Sequence, residues 1–166
     1  MKHISTVLII FSVLVISFKG YSNTEKVREL EGLYLGQHPP GNTAKIFAPG
    51  IISTVNHIEF GGTFSPDLKE YFFTRREKGT INNRIFYTCL RKDGWSRPAL
   101  APFAYDCFEF EPHITPAGDR LYFGSKRPLP QTKVLNRQTL IWMTKKTKKG
   151  WSSPEYPGPP FDKAMF

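Results

Sequence analysis

The sequence predicts an all-β protein made of two consecutive four-stranded antiparallel units behind an N-terminal leader. Three observations predict it. The chain repeats a phrase: "TFSPDLKEYFFTRR" (Thr63–Arg76) returns as "HITPAGDRLYFGSKR" (His113–Arg127). Its apolar residues fall in short runs rich in aromatic and β-branched types, each bounded by turn residues. Helical spacing is confined to one stretch near the start, Thr24–Leu33, where Val27, Leu30 and Leu33 share a face.

The leader comes first. Met1-Lys2-His3 is a basic start, Ile4–Phe18 is an apolar or small run, and Gly20 and Ser22 suit a cut after Ser22. That is the layout of a secretory signal peptide. The run is shorter than the about 20 residues a bilayer span needs. Residues 1–22 are therefore assigned to the leader, with no stable membrane insertion after cleavage and a periplasmic or secreted destination. The mature chain, Asn23–Phe166, is one domain's worth of sequence. Residues 23–55 form a lead-in. It carries the short helix at Thr24–Leu33 and two extended pairs, Ile46-Phe47 and Ile51-Ile52, as an outer strand that closes a ring.

The two units span 56–105 and 106–161. Aligned on Pro66 and Pro116, they match at an offset of 50: Ile58-Glu59-Phe60 with Phe108-Glu109-Phe110, and Tyr71-Phe72-Phe73 with Leu121-Tyr122-Phe123. Later the offset is 56: Arg84–Thr88 meets Leu140–Thr144, and Gly94-Trp95-Ser96 meets Gly150-Trp151-Ser152. The six added residues fall in the polar, proline-flanked stretch Pro128–Arg137, which reads as a longer loop. Within the first unit, Phe60–Ser65 is a strand, and Pro66–Lys69 is a turn whose proline presets φ. Glu70–Arg76 is the second strand. Arg84–Arg91 is the third, closed by the hairpin signal Asp93-Gly94. Trp95–Ala101 is a fourth strand, which Pro98 restricts to an edge. Four antiparallel strands in about 50 residues, repeated, is the pattern of β-propeller blades. Propellers close with about four to eight blades. The sequence holds two, and 162–166 reads as the start of a third, so a truncated member is expected, needing further blades or a homo-oligomer to close the ring.

"FSPDLKEYFFTRR" and "ITPAGDRLYFGSKRP", each followed by an aromatic strand and a Gly-Trp-Ser-x-Pro stretch, resemble the WD40-like propeller repeats of the Ser-Pro-Asp-Gly type. Such repeats occur in the periplasmic propeller of the Tol system and in the propeller domains of prolyl-oligopeptidase-like enzymes. The resemblance covers about Ile58–Pro160. It implies a fold more than an activity, since one fold hosts many functions. Two positions depart from it. Leu68 stands where that family has glycine, and Ala117 where it has aspartate.

The net charge of +9 falls to +7 without Lys2 and Lys19. The basic residues are scattered. Their one cluster, Lys145–Lys149, precedes a turn and reads as solvated, so no nucleic-acid partner is expected. Cys89 and Cys107 are too few for a disulfide scaffold. An oxidising compartment permits a bridge between them, and two small hydrophobes is the alternative.

Glu109, Glu111 and His113 alternate, so on a strand they share a face, and such a set is competent for a divalent metal. Against that, Glu109 repeats Glu59, while Glu111 and His113 correspond to Gly61 and Thr63. No cofactor or metal is assigned. His57 with Glu59 is a weaker version of the pattern. Arg75 and Arg76, and Lys126 and Arg127, are expected just past the second strand of each unit. There they would face an anionic ligand at the ring mouth or pair with turn carboxylates. Trp95 and Trp151 repeat with the unit, which favours packing over a sugar platform. The sequence contains no G-x-S-x-G elbow, no H-E-x-x-H and no glycine-rich phosphate loop. Cys107 and His113 lie six residues apart on one short segment, and nothing else recommends them as a nucleophile pair. The function expected is an exported, non-catalytic propeller segment that binds a protein or glycan partner through Glu59, Glu109, Glu111, His113, Arg76 and Arg127. The alternative is a propeller hydrolase acting on glycans or peptides at the channel mouth.

Overall fold

The computed structural model describes residues 30–161. The leader, residues 24–29 of the expected helix, and 162–166 lie outside them. The described chain is all-β, in two antiparallel sheets with no α-helix. The first sheet runs β1 (His57–Phe64), β2 (Glu70–Glu77), β3 (Arg84–Arg91), with β4 (Gly94–Trp95) and β5 (Ala99–Leu100) both paired to β3. The second runs β6 (Glu109–Ile114), β7 (Arg120–Ser125), β8 (Leu140–Thr147), β9 (Gly150–Trp151) in that order. The expected fourth strand is split at Ser96-Arg97-Pro98, where Ser96 N–H still donates to Cys89 O (2.9 Å) and Pro98 has no N–H to give. In the second sheet Glu155 makes the corresponding contact as a single bridge to Met143.

The repeated sequence features explain the shared local structure. In the first β1–β2 turn, Leu68 N–H donates to Ser65 O (2.8 Å), and Ser65 Oγ donates to Asp67 Oδ1 (2.6 Å). In the β6–β7 turn, Gly118 N–H donates to Thr115 O (2.8 Å), and Thr115 Oγ1 bonds Asp119 in place of the aspartate missing at 117. Leu68 and Gly118 occupy the same left-handed position, with φ of 56° and 72°. The serine after each Gly-Trp is structural too. Thr88 Oγ1 donates to Ser96 O (2.6 Å) and Thr144 Oγ1 to Ser152 O (2.7 Å).

Each first strand carries one extra residue. Pairing steps from Phe60↔Thr74 to Thr63↔Phe72, and from Phe110↔Gly124 to His113↔Tyr122. These are β-bulges, with Gly61 at φ 58° and its counterpart Glu111 at φ 50°. The two bulges touch: a Cβ on Gly61 would lie 3.1 Å from Glu111 Cα.

The main core lies between the sheets. Phe72 and Ile85 from the first meet Ile114, Leu121, Phe123 and Trp142 from the second. Phe103, on the connection, sits in the middle, 5.8 Å from Phe72 and 5.1 Å from Phe123, ring to ring. Trp151 reaches across edge-on to Phe72 (5.6 Å). Glu70 Oε1 accepts from Lys146 Nζ (2.5 Å) and Trp151 Nε1 (3.4 Å) of the second sheet.

The lead-in departs from expectation. Residues 30–32 are not helical, and Leu30 O instead accepts a bond from Trp95 N–H (3.0 Å). A single turn follows at Leu33–Gly36, with Tyr34 and Leu35 left-handed at φ 53°. Ile51 and Ile52 are not extended either. Both N–H groups donate to Ala48 O (3.1 and 2.9 Å), winding the chain into a tight turn. No strand forms from 37 to 56 to close a ring. The lead-in instead covers the other face of the first sheet. Leu35, Ala48 and Ile52 are buried on Phe73 and Trp95, and Trp95 Nε1 donates to Gly32 O (2.7 Å). Each repeated tryptophan thus ties its sheet to the layer before it.

Candidate functional site

The carboxylates singled out in sequence fold into two copies of one packing device. Glu59 accepts from Arg75 Nε (3.1 Å) and from Thr54 Oγ1 (2.9 Å). Arg75 Nη2 donates to Ile51 O and Ile52 O (2.9 Å each), and its guanidinium lies 5.1 Å from the Phe73 and Phe86 ring centres. In the second sheet Glu109, fully buried, accepts from Arg127 Nη2 and from Tyr105 N–H (3.2 Å). Arg127 also donates to Phe103 O (3.0 Å) and lies over Phe123 and Trp142 at 4.8 and 5.3 Å. Each arginine clamps its sheet to the backbone that precedes it. Burial pulls the Arg75 guanidinium below its usual value, partly offset by Glu59. Burial pushes the Glu109 carboxyl up, partly offset by Arg127. Such groups are desolvated and satisfied, so neither carboxylate is aimed at an open channel.

Two expectations are corrected. Arg75 and Arg76 lie within β2, not past it, whereas Lys126 and Arg127 do follow β7. Arg76 faces the second sheet from β2, and its Nε is buried with no acceptor among the described residues. Glu109, Glu111 and His113 do not share a face. The bulge at Glu111-Pro112 reverses the alternation, so Glu109 lies with Ile114 toward the first sheet and His113 lies with Phe110 on the far side. Glu111 and His113 are exposed. Among the described residues no group of three or more His, Cys, Asp or Glu is placed to hold a metal. His57 Nδ1 and Glu59 are linked only through Thr54 Oγ1, at 2.9 Å from each. Cys89 and Cys107 are both free and half-buried. Burial pushes the Cys107 thiol up, away from the thiolate a nucleophile needs.

The far side of the second sheet carries Phe110, His113, Tyr122 and Ile141 around a hollow of about 170 Å³. Phe161 stacks on Tyr122 at 5.7 Å. A larger groove, about 470 Å³, opens beside the long loop after β7. Tyr105, Trp142, Pro128, Pro130 and Pro154 are among its walls.

No protein-family model, curated protein or solved structure matches this chain. Geometry therefore carries the assignment. Sequence reasoning did not single out the residues around this groove. A signal existed: they lie where the second unit departs from the first. Trp142 aligns with Phe86, and the loop is six residues longer than its counterpart in the first unit. Tyr105 holds Glu109 through its N–H as Thr54 holds Glu59.

Proposed function

We propose that this chain is an exported, non-catalytic repeat module of the β-propeller kind that works by binding a protein partner against the far face of its second sheet. One observation carries the proposal. That face repeats the face of the first sheet that the second sheet covers. Tyr122 stands where Phe72 stands, and Ile141 where Ile85 stands. On the first sheet both positions are fully buried. On the second they are half-exposed. Phe161 stacks on Tyr122 at 5.7 Å and 29°, as Phe103 stacks on Phe72 at 5.8 Å and 21°. The same surface suits the same kind of cover, a further sheet bearing aromatic residues. The leader and the WD40-like resemblance support export and the propeller class. The sequestration of Glu59 and Glu109 in buried ion pairs supports a binding role over the hydrolase alternative.

The test is sedimentation of the purified mature chain over a wide concentration range, beside Ile141→Asp. An uncovered apolar sheet face is expected to self-associate in the absence of its partner, and the aspartate is expected to abolish this while leaving the thermal melt in place. A chain that stays monomeric throughout, or associates equally with Ile141→Asp, overturns the docking face. Specific turnover of a peptide or glycan by the purified chain overturns the non-catalytic role.

A further inference from the structure

We infer that the far face of the second sheet is built for a protein partner whose β-layer sets an acidic side chain over Arg120, and against layers with the basic pattern of this chain's own. The inference rests on the docking face proposed above and names the charge its occupant must bring.

The contact between the two sheets shows what such a face asks of its cover. Glu70, Phe72 and Thr74 of β2 alternate toward the second sheet. Three acceptors on this side hold that sheet by its donors. Glu70 Oε1 accepts from Lys146 Nζ and from Trp151 Nε1 (3.4 Å). Thr74 Oγ1 accepts from the Glu111 N–H of the bulge (2.8 Å), and Thr63 Oγ1 accepts from the Ile114 N–H (3.4 Å).

The far face of the second sheet keeps the apolar middle of this pattern and replaces each acceptor. Arg120, Tyr122 and Gly124 of β7 point away from the first sheet, since Leu121 and Phe123 between them pack into the core. Strand pairing fixes the equivalences. Arg120 lies across from Lys145 as Glu70 lies across from Cys89, and His113 across from Tyr122 as Thr63 across from Phe72. A carboxylate has become a guanidinium, and a threonine hydroxyl an imidazole. The other hydroxyl is gone. Gly124 stands where Thr74 stood, and the Phe110 ring fills the place: a Cβ on Gly124 would lie 2.6 Å from Phe110 Cε1. A layer like the second sheet would bring its lysine against Arg120 and its bulge N–H against a ring in place of a hydroxyl. Like charges set face to face exclude a partner, and opposite charges select one. A second copy of this chain carries that same lysine, Lys146, and is the poorer occupant.

The neighbouring charges leave Arg120 able to take a new partner. Asp119 Oδ2 is 3.5 Å from Arg120 Nε, but both side chains are about half exposed, and such pairs hold little. Lys145 is taken by Glu155 (2.8 Å). Glu111, the carboxylate on the wall of the hollow, sits on the bulge, away from the Arg120 corner. The net charge of the sequence, +9, also favours an acidic partner.

The experiment is a titration of the isotope-labelled mature chain with a cyclised β-hairpin peptide. One side of the hairpin carries aromatic residues with a glutamate at the corner. A second hairpin differs only in having lysine there. The backbone amide resonances of Arg120, Tyr122 and Ile141 are the reporters. They are expected to shift saturably with the glutamate hairpin, which should bind about fivefold more tightly than the lysine hairpin, the worth of exchanging a weak repulsion for a weak attraction. Arg120→Glu should reverse that order, and Ile141→Asp should weaken both. A charge swap within the chain tests the same point without a peptide. Glu70→Arg should lower the urea midpoint. Adding Lys146→Glu should recover part of the loss, because the pair rebuilds in the first sheet the corner that the far face offers. No saturable shift at those amides, equal or lysine-favoured binding, an order that Arg120→Glu leaves unchanged, or a swap without recovery overturns the inference. Equal hairpin affinities together with self-association that Ile141→Asp abolishes would remove the charge preference and leave the docking face standing. Self-association that survives Ile141→Asp removes the docking face itself.

Discussion

Removing the carboxylate of Glu59 should destabilise the protein far more than breaking a surface ion pair. The side chains of Arg75 and Glu59 are only 11% and 10% exposed. Burial already pulls the Arg75 guanidinium below its usual value, and Glu59 is the group that pulls it back. In Glu59→Ala the guanidinium keeps Ile51 O and Ile52 O as acceptors but faces no counter-charge. Leaving one member of a buried pair unpaired costs about 3–5 kcal/mol, and the slight exposure here places the cost near the lower end. Against a typical stability of about 5–15 kcal/mol, that is a large fraction. The internal control is Lys145–Glu155, whose side chains are 48% and 52% exposed. Lys145→Ala should cost no more than about 1 kcal/mol. Urea titrations of both variants supply the comparison. The double variant Glu59→Leu, Arg75→Met completes a cycle, and it should recover most of the loss because apolar replacement of a buried pair is often neutral or better. The reasoning is refuted if Glu59→Ala costs no more than Lys145→Ala, or if the double variant loses the sum of its two single changes.

Two further predictions concern titration and backbone. Burial raises the Glu109 pKa above its ordinary 4.5, so the folded state holds this proton more tightly than the unfolded chain. The stability it contributes is present below that value and is lost as the pH rises through the folded pKa. Denaturation midpoints measured across that range should therefore fall with pH more steeply in the wild type than in Glu109→Gln, and equal slopes would contradict it. Leu68 is held at φ 56° where the second unit has Gly118. Leu68→Gly should stabilise by up to about 1 kcal/mol, because a side chain in the left-handed region costs roughly that much. Gly118→Ala should destabilise, since its new Cβ would also meet Pro66 Cδ at 3.1 Å. Thermal melts of both should move in opposite directions.

The legible part of the fold is the part written in local chemistry. Pro66, Pro116, Asp93-Gly94 and the two Gly-Trp-Ser stretches each fix a turn or hairpin from nearest neighbours alone, so the repeat and most strand limits followed from them. The bulges were harder. One added residue in a strand reverses every later side chain, and the alternation of Glu109, Glu111 and His113 conceals it. The hint was in the other unit, where Gly61-Gly62 fills the positions of Glu111-Pro112. The lead-in was illegible for a different reason. Its conformation is set by partners far away in sequence, above all Trp95, whose backbone N–H takes Leu30 O and whose indole takes Gly32 O. Helical spacing in Thr24–Leu33 carries no information about that capture.

The site illustrates a general consequence of building with repeats. A feature present in both units is most economically explained by what both units do, which is to fold against a neighbouring layer. Glu59 and Glu109 and the two tryptophans belong to this class, and all are spent on packing, although the arginines that meet the glutamates come from unaligned positions, 75 and 127. These are also the residues whose chemistry drew attention in the sequence. Repetition, which made them conspicuous, was evidence against a ligand role. The converse holds for Trp142, Tyr105 and the loop after β7. Each is a departure from the first unit, and the three meet at one groove, where Trp142 is also part of the main core.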